Sequence, residues 1–376
     1  MKTLLSTLAL LISSALSAQV NTHIAITSLP PYHADGSAVY AAGSFNGWNP
    51  QDEQYRFNRD GKGNYFLDLK LEPGVYEYKI TRGGWDKVEC EANGTGTGNR
   101  RITVPVENSK LAIAVAEWAD RFPAKPRAST NSKQVQVIDT AFWIPQLKRT
   151  RRISVYLPES YGTGHEKKYP VLYMHDGQNL FDDATSFSGE WGVDEFFDST
   201  ALPKAIVVAI DHGDGKRLNE YNPYDNARFG KGEGDAYADF IVKTLKPYID
   251  KHYRTIKNAA NTFISGSSMG GLISFYTILK YPKTFGGAGI FSPSFWITGA
   301  KIDESIKAKG EKFKGKLYFY CGKLEGDNMV TDMLKVFERM AAVSKAKMTT
   351  VIRDDGKHSE ASWRKEFPLF YQWISR

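Results

Sequence analysis

The stretch that most restricts how this chain folds runs from Thr262 to Leu279. Thr262-Phe263-Ile264 reads as a short buried strand, Gly266-Ser267-Ser268-Met269-Gly270-Gly271 fits G-x-S-x-G, and Leu272 to Leu279 repeats apolar residues at helical spacing. A strand that passes into a helix within so few residues needs a sharp turn. That turn pushes the central hydroxyl, Ser268, out at the C-terminal edge of a sheet. The glycines at 266 and 270 follow from the same geometry, because side chains there would collide across the turn. A purely structural turn has a similar signature, so the surrounding elements and the partners of Ser268 decide its meaning.

Those elements read as an α/β domain over residues 135–376. Val135 to Phe142, Arg152 to Leu157, Pro170 to Met174, Ala205 to Ile210, the strand before Ser268, Ala288 to Phe291, Leu317 to Tyr320 and Met348 to Ile352 give eight strands. Ala205 to Ile210 is almost continuously apolar and β-branched, as a parallel strand buried on both faces requires. Helical periods over Asp235–Tyr253 (interrupted at Pro247), Asn328–Val343 and Phe367–Ile374 alternate with the later strands. The expected architecture is an open, mostly parallel α/β sheet.

The N-terminal part differs. Residues 19–118 show short alternating strands, notably Ala38–Ala41, Asn64–Leu71, Gly74–Thr81 and Asn99–Pro105, with a turn at Gly47-Trp48-Asn49-Pro50 and no helical period. Strands so spaced predict a small antiparallel sandwich. Residues 119–134, polar with two prolines, read as a linker. Met1 to Ala18, with one lysine, an apolar run from Leu4 to Ile12 and small residues at the end, reads as a secretory signal peptide and implies a secreted or periplasmic protein. The apolar run is too short to span a bilayer, and no other stretch could do so.

Charge and cysteine usage exclude several classes. The net charge of +7 is dispersed apart from Lys148-Arg149-Thr150-Arg151-Arg152. That cluster reads as solvated surface, whereas nucleic-acid binding needs a denser basic patch interleaved with aromatics. Cys90 and Cys321 sit in strand-like apolar settings and read as two buried free thiols. No C-x-x-C or H-E-x-x-H occurs and the seven histidines are scattered, so neither a dedicated metal site nor a cofactor is expected.

A serine hydroxyl needs a base within hydrogen-bond reach to act as a nucleophile. His358 is the only histidine downstream of Ser268. It lies after the last strand, where a Ser–acid–His sheet enzyme places its base. The acid then comes from the loop after Leu317–Tyr320, which offers Glu325 and Asp327, with Asp332 further on. An oxyanion requires two backbone N–H donors. Met269 supplies one, and the loop His175-Asp176-Gly177-Gln178-Asn179 the other, through Gln178 or Gly177.

Two resemblances add to this reading. Tyr173-Met174-His175-Asp176-Gly177-Gln178, Arg217-Leu218-Asn219-Glu220-Tyr221, Gly266-Ser267-Ser268-Met269-Gly270-Gly271, Phe291-Ser292-Pro293-Ser294-Phe295-Trp296 and Gly356-Lys357-His358-Ser359-Glu360 resemble the esterase D group of α/β-hydrolases. That group includes feruloyl and acetyl-xylan esterases of the first carbohydrate-esterase family and the enterochelin esterases. The resemblance implies a triad of Ser268, Glu325 and His358, the acid lying three residues after Gly322. Trp191, Arg217, Trp296 and Trp363 fall in loops expected to converge on the substrate above the sheet edge.

Ala42-Gly43-Ser44-Phe45-Asn46-Gly47-Trp48, Pro73 to Ile80 and Asn99-Arg100 look like the starch- and glycogen-binding modules. In that family two tryptophans and a lysine hold the sugar, which points to Trp48 and Lys79, with Trp85 displaced from the position where Cys90 now stands. The implied function is a secreted serine carboxylic-ester hydrolase that removes feruloyl or acetyl groups from carbohydrate. A siderophore trilactone esterase is the alternative within the class, and a catalytically silent glycan-binding protein the alternative outside it. The partners implied are an acylated carbohydrate or other ester, polysaccharide at the N-terminal module, no nucleic acid and no membrane span.

Overall fold

The computed structural model of the protein describes residues 19–105, 108–122, 127–163, 166–187, 189–227, 229–326 and 328–376. The expected signal peptide at 1–18 and the alternative acid Asp327 lie outside the described residues. The chain divides into two compact units, with the boundary between Ala124 and Lys125.

In the first unit, one sheet orders its strands Asn58–Arg59, Tyr65–Leu71, Val20–Ser28 and Ser109–Ala114. A second sheet joins Tyr40–Gly43, Gly74–Thr81 and Arg100–Val104, and Glu89–Cys90 pairs with Glu117–Trp118. Alternation sends Ile24, Leu67, Leu69, Tyr78, Ile80, Ile102 and Ile113 into one core, with Trp118 fully buried among them. Val20–Ser28 is antiparallel to Tyr65–Leu71 but parallel to Ser109–Ala114.

The second unit is built on eight strands: β1 (Val135–Ile144), β2 (Arg149–Tyr156), β3 (Val171–His175), β4 (Ile206–Ile210), β5 (Thr262–Ser267), β6 (Gly287–Phe291), β7 (Lys316–Gly322) and β8 (Lys347–Arg353). Their order across the sheet is β1-β2-β4-β3-β5-β6-β7-β8. The β1–β2 and β2–β4 pairs are antiparallel, and every pair from β4 to β8 is parallel. This is the α/β-hydrolase sheet. β3, β4, β5 and β6 are buried at every residue. Their side chains alternate between two apolar layers: Val171 and Tyr173 pack on one face, Leu172 and Met174 on the other. Each such residue contributes roughly 1.5–3 kcal/mol, so the strand ends that carry the site sit on a rigid base.

Helix α1 (Val193–Ser199) and helix α4 (Glu360–Ile374) cover one face. Helices α2 (Met269–Lys280) and α3 (Met329–Val343) lie on the other, together with Gly234–His252. The helical run near Pro247 is less interrupted than its sequence suggests. Gly234–Phe240 passes through a wide turn of π geometry, Ile241–Leu245, into Lys246–His252, with the proline in the first turn of the last segment. A first-turn position needs no N–H from proline. α4 begins seven residues before the expected Phe367 and carries Pro368 inside it. Its first turns are polar, and the apolar period emerges only later.

The polar stretch expected to be a linker is, over its described part from Arg127, hydrogen-bonded along the second unit. Arg127 donates to Asp183 and Ser186, Ser129 to Asp182, and Ser132 to Asp194 and Asp198. The side chains that give the segment a linker composition are the ones that dock it. Cys90 and Cys321 are both buried free thiols. Among the described residues no helix is long and apolar enough to cross a membrane.

Candidate active site

β5 ends beside β6 in register, Ser267 opposite Phe291. The next residue, Ser268, adopts φ 59° and ψ −121°. A side chain there is strained, and the cost is of order 1–3 kcal/mol, met by the surrounding contacts. Three main-chain bonds hold it: Ser268 N–H donates to Phe291 O at 2.9 Å, while Ser294 N–H and Leu272 N–H donate to Ser268 O at 3.1 Å. The glycines supply the room. A Cβ on Gly266 would lie 2.9 Å from the Gly270 carbonyl carbon, and one on Gly270 would lie 3.2 Å from the His175 Cβ. Ser268 Oγ lies 3.2 Å from Ser294 Oγ, so the resting hydroxyl is turned toward that neighbour.

The acid and the imidazole are brought together by backbone contact. Gly322, which ends β7, and Gly356, after β8, approach so closely that a Cβ on Gly322 would sit 2.2 Å from the Gly356 carbonyl. Leu324 N–H donates to Gly356 O at 2.9 Å across the same junction. Glu325, whose side chain is fully buried, then reaches in three directions. Its Oε1 accepts from Gly322 N–H at 2.6 Å and from Ser292 Oγ at 2.7 Å; its Oε2 lies 2.9 Å from His358 Nδ1. Among the described residues this leaves Nε2 as the ring nitrogen of His358 without a partner. Ser292 is fixed in turn by Trp363, whose Nε1 donates to its Oγ at 2.9 Å. The Trp363 ring also meets the imidazole edge to face, centroids 5.1 Å apart. One loop therefore serves both halves of the site, Ser292 holding the acid and Ser294 touching the nucleophile candidate.

Met269 opens α2, and the first N–H groups of a helix have no intrahelical acceptor. Facing β5, the loop after β3 turns at Asp176, which has a left-handed φ of 55°. Asn179 and Leu180 close back on Asp176 O and Gly177 O. The Gln178 side chain accepts from His212 N–H at 3.2 Å, which holds the loop against the residues after β4. Asp176 makes a two-point ion pair with Arg217 at 2.6 and 2.8 Å. Burial alone would raise the Asp176 carboxyl, but the Arg217 charge and hydrogen bonds outweigh it and hold it below its ordinary value. His175 is fully buried, and that burial pushes its imidazole down to about 4. It is a neutral core histidine whose Nδ1 lies 3.1 Å from Tyr237 Oη.

Of the four residues expected to face substrate, the structure leaves one at the surface. Trp296 is 46% exposed, two residues beyond Ser294, its ring set edge-on to Phe229. Trp191 is 3% exposed and packs on Trp363, Phe291 and Phe367. Trp363 belongs to the wall behind His358. Arg217 is committed to Asp176, not to Glu220, which pairs with Arg149 and Arg151. Ser292 and Ser294 carried no expectation of their own. Ser292 has a positive φ of 43°, and a non-glycine residue in that conformation marks a site worth inspecting. In the first unit, Trp48 and Trp85 lie with ring centroids 6.3 Å apart, while the Lys79 amine donates to Thr97 O and Gly98 O.

The family model described as "Putative esterase" matches residues 144–372. The chain belongs to this esterase family. It is 32% identical over 157 residues to the uncharacterized protein YbbA of Bacillus subtilis, across 40% of this chain and 59% of that one. It is 25% identical over 316 residues to an endo-1,4-beta-xylanase/feruloyl esterase of Xylanibacter ruminicola, across 82% of this chain and 39% of that protein. These alignments thus span about half the length of the relatives or less. The enterobactin esterase of Shigella flexneri, solved with enterobactin, superposes with a TM-score of 0.53 at 16% identity, over 89% of this chain and 88% of the other. That likeness shows the fold.

Two outcomes follow from the geometry. Ser292→Ala removes a hydrogen bond to a charged acceptor worth about 1.5–3 kcal/mol. It should lower kcat for an aryl ester roughly 10- to 100-fold with KM unchanged, and Ser292→Thr should restore most of the rate; a fall in KM with kcat intact would contradict the role. Asp211, beside Gly177, is pushed up by burial to about 6 from an ordinary 3.8. The folded state therefore binds its proton more tightly, and stability is lost as pH rises from about 4 to 6. Asp211→Asn should melt higher than the wild type at pH 8, by up to about 3 kcal/mol, with the advantage shrinking toward pH 4; melts at both pH values check it.

Proposed function

We propose that the chain is a serine carboxylic-ester hydrolase working through an acyl-enzyme, with Ser268 as nucleophile, His358 as base and Glu325 as acid. The observation that carries this reading is the 2.9 Å Glu325–His358 contact, anchored through Ser292 to the loop that also touches Ser268. Rotation about the Ser268 side-chain torsion releases Oγ from Ser294 toward the imidazole. Such bonds are commonly long or misaligned before substrate binds.

His358 Nε2 takes the hydroxyl proton as Oγ bonds to the ester carbonyl carbon, and Glu325 stabilises the imidazolium through Nδ1–H. The N–H groups of Met269 and Gln178 receive the oxyanion, each worth roughly 10²–10³ in rate. The imidazolium then protonates the leaving alcohol, and water repeats the sequence to free the acid.

For the substrate, an acyl group ester-linked to carbohydrate is the first choice, feruloyl or acetyl. The exposed indole of Trp296, two residues beyond Ser294, suits an aryl acid or a sugar face, and a relative that is 25% identical is named as a xylanase/feruloyl esterase. A siderophore trilactone is the second reading, favoured by the superposition that runs across most of both chains. Trp48 and Trp85 offer adjoining aromatic faces, which supports polysaccharide contact by the first unit with Lys79 held to its own loop.

Wild type should hydrolyse an aryl acetate and methyl ferulate, and Ser268→Ala should lose about 10⁵–10⁶-fold; an alanine variant of undiminished rate would end the proposal. Faster cleavage of a ferric siderophore than of ferulate would move the substrate to the second reading. On starch in native gels the protein should be retarded, and Trp48→Ala with Trp85→Ala should run free. Equal mobility of both would remove the glycan role.

A further inference from the structure

Behind the His358 wall lies a group of side chains that ester hydrolysis does not use. Glu190, Asp194 and Glu195 each turn a carboxylate oxygen to a common point, and the three candidate ligand atoms all lie within 4.8 Å of one another. Asp194 is 0% exposed and Glu190 is buried, while Glu195 is partly open to solvent. The second oxygens are accounted for. Asp194 Oδ2 accepts from Ser132 N–H at 2.8 Å, Glu190 Oε1 from Arg364 at 3.2 Å, and Glu195 Oε1 pairs with Arg364 at 3.6 Å. The inward oxygens, Glu190 Oε2, Asp194 Oδ1 and Glu195 Oε2, are buried with no hydrogen-bond partner among the described residues.

Ionised together, three carboxylates against the one guanidinium found beside them among the described residues would leave two negative charges uncompensated in a water-poor place, and a buried charge without a partner is costly. Burial, then the close approach of the Glu195 carboxyl as hydrogen-bond partner and as charge, raises both Glu190 and Asp194 above the ordinary carboxylate range. The fully enclosed Asp194 oxygen, aimed into the group with nothing to accept from, is what separates this cluster from a solvated acidic surface.

We propose that Glu190, Asp194 and Glu195 form a binding site for one divalent cation of the calcium class. The donor set is all oxygen, which selects a hard ion, and three inward oxygens with solvent completing a flexible shell suit calcium, at 2.3–2.6 Å per ligand, better than magnesium, which demands near-ideal octahedral geometry at shorter distances. Its two positive charges match the two that Arg364 leaves over. The partly open Glu195 marks the route of entry. Sequence spacing of the His/Cys kind could not reveal the site, because it contains no nitrogen or sulfur ligand.

The position gives the ion a structural role. Glu190 precedes Trp191 and Arg364 follows Trp363, and the two indoles pack on each other with centroids 5.7 Å apart. Asp194 holds the 127–134 segment through Ser132. A bound cation thus ties that segment, α1 and the first turns of α4 together, and α4 carries the tryptophan against which His358 rests.

The test uses the full chain, stripped with a chelator and held at pH 8. Terbium added to the wild type should give emission sensitised by tryptophan, saturating at one ion per chain and displaced by calcium. Calcium at about 5 mM should raise the melting temperature by several degrees, as a ligand in large excess over its Kd does. Asp194→Asn and, at the open rim, Glu195→Gln should each weaken terbium binding at least tenfold and abolish the calcium shift. Neither should melt below the stripped wild type by more than a degree or two, since each removes a repulsion. A wild type that neither sensitises terbium nor shifts with calcium would overturn the proposal and leave the cluster to shared protons. So would variants that keep the full response. Both readouts are independent of ester turnover, so failure here and failure of the hydrolase reading are distinguishable.

Discussion

A carboxylate with no exposed surface survives in a fold only if its charge is met, and Glu325 is met on every side. Gly322 N–H and Ser292 Oγ occupy one oxygen and His358 the other. Because the first two partners are a main-chain group at the end of β7 and a hydroxyl pinned by Trp363, the carboxylate has one direction left in which to accept. That direction fixes the imidazole. The rest of the site is arranged around the same loop, since Ser294, two residues beyond Ser292, lies against the serine at the strand-to-helix turn.

Much of this was readable from residue order, and for stated reasons. β3, β4 and β6 are short, apolar and flanked by turn residues, so a sheet buried on both faces leaves a clear trace. Ser268 and His358 each follow a strand and stand out by chain order, whereas Glu325 was left beside Asp327 and Asp332 and came first only through the resemblance to the esterase D group. Val20–Ser28 and Ser109–Ala114 were harder to see: the first buries Thr22 among its apolar positions, and the second buries only Ile113. The early start of α4 was hidden by its polar first turns and by Pro368.

The tryptophans and Arg217 show where such reading stops. A large aromatic in a loop above a sheet edge satisfies the pattern of a substrate contact and of a core residue equally, and sequence carries no sign of which way the ring turns. Trp191 and Trp363 turn inward and back the histidine, whereas Trp296 turns out. Arg217 finds Asp176, a residue 41 positions away that reaches it only because β3 and β4 are neighbours. Ser292 could not have been ranked above other serines, since its value lies in a bond to an acid that arrives from a different strand.

The contact of Gly322 with Gly356 divides the loops by how freely they can vary. Neither backbone tolerates even a methyl group, so the two segments that carry Glu325 and His358 are locked as a pair and drift only together. Novelty in what is recognised has more room on the stretch bearing Trp296, where a Cβ on nearby Gly299 would meet nothing within 4 Å. A scaffold partitioned this way holds the Glu325–His358 pair constant while what it recognises is free to diverge.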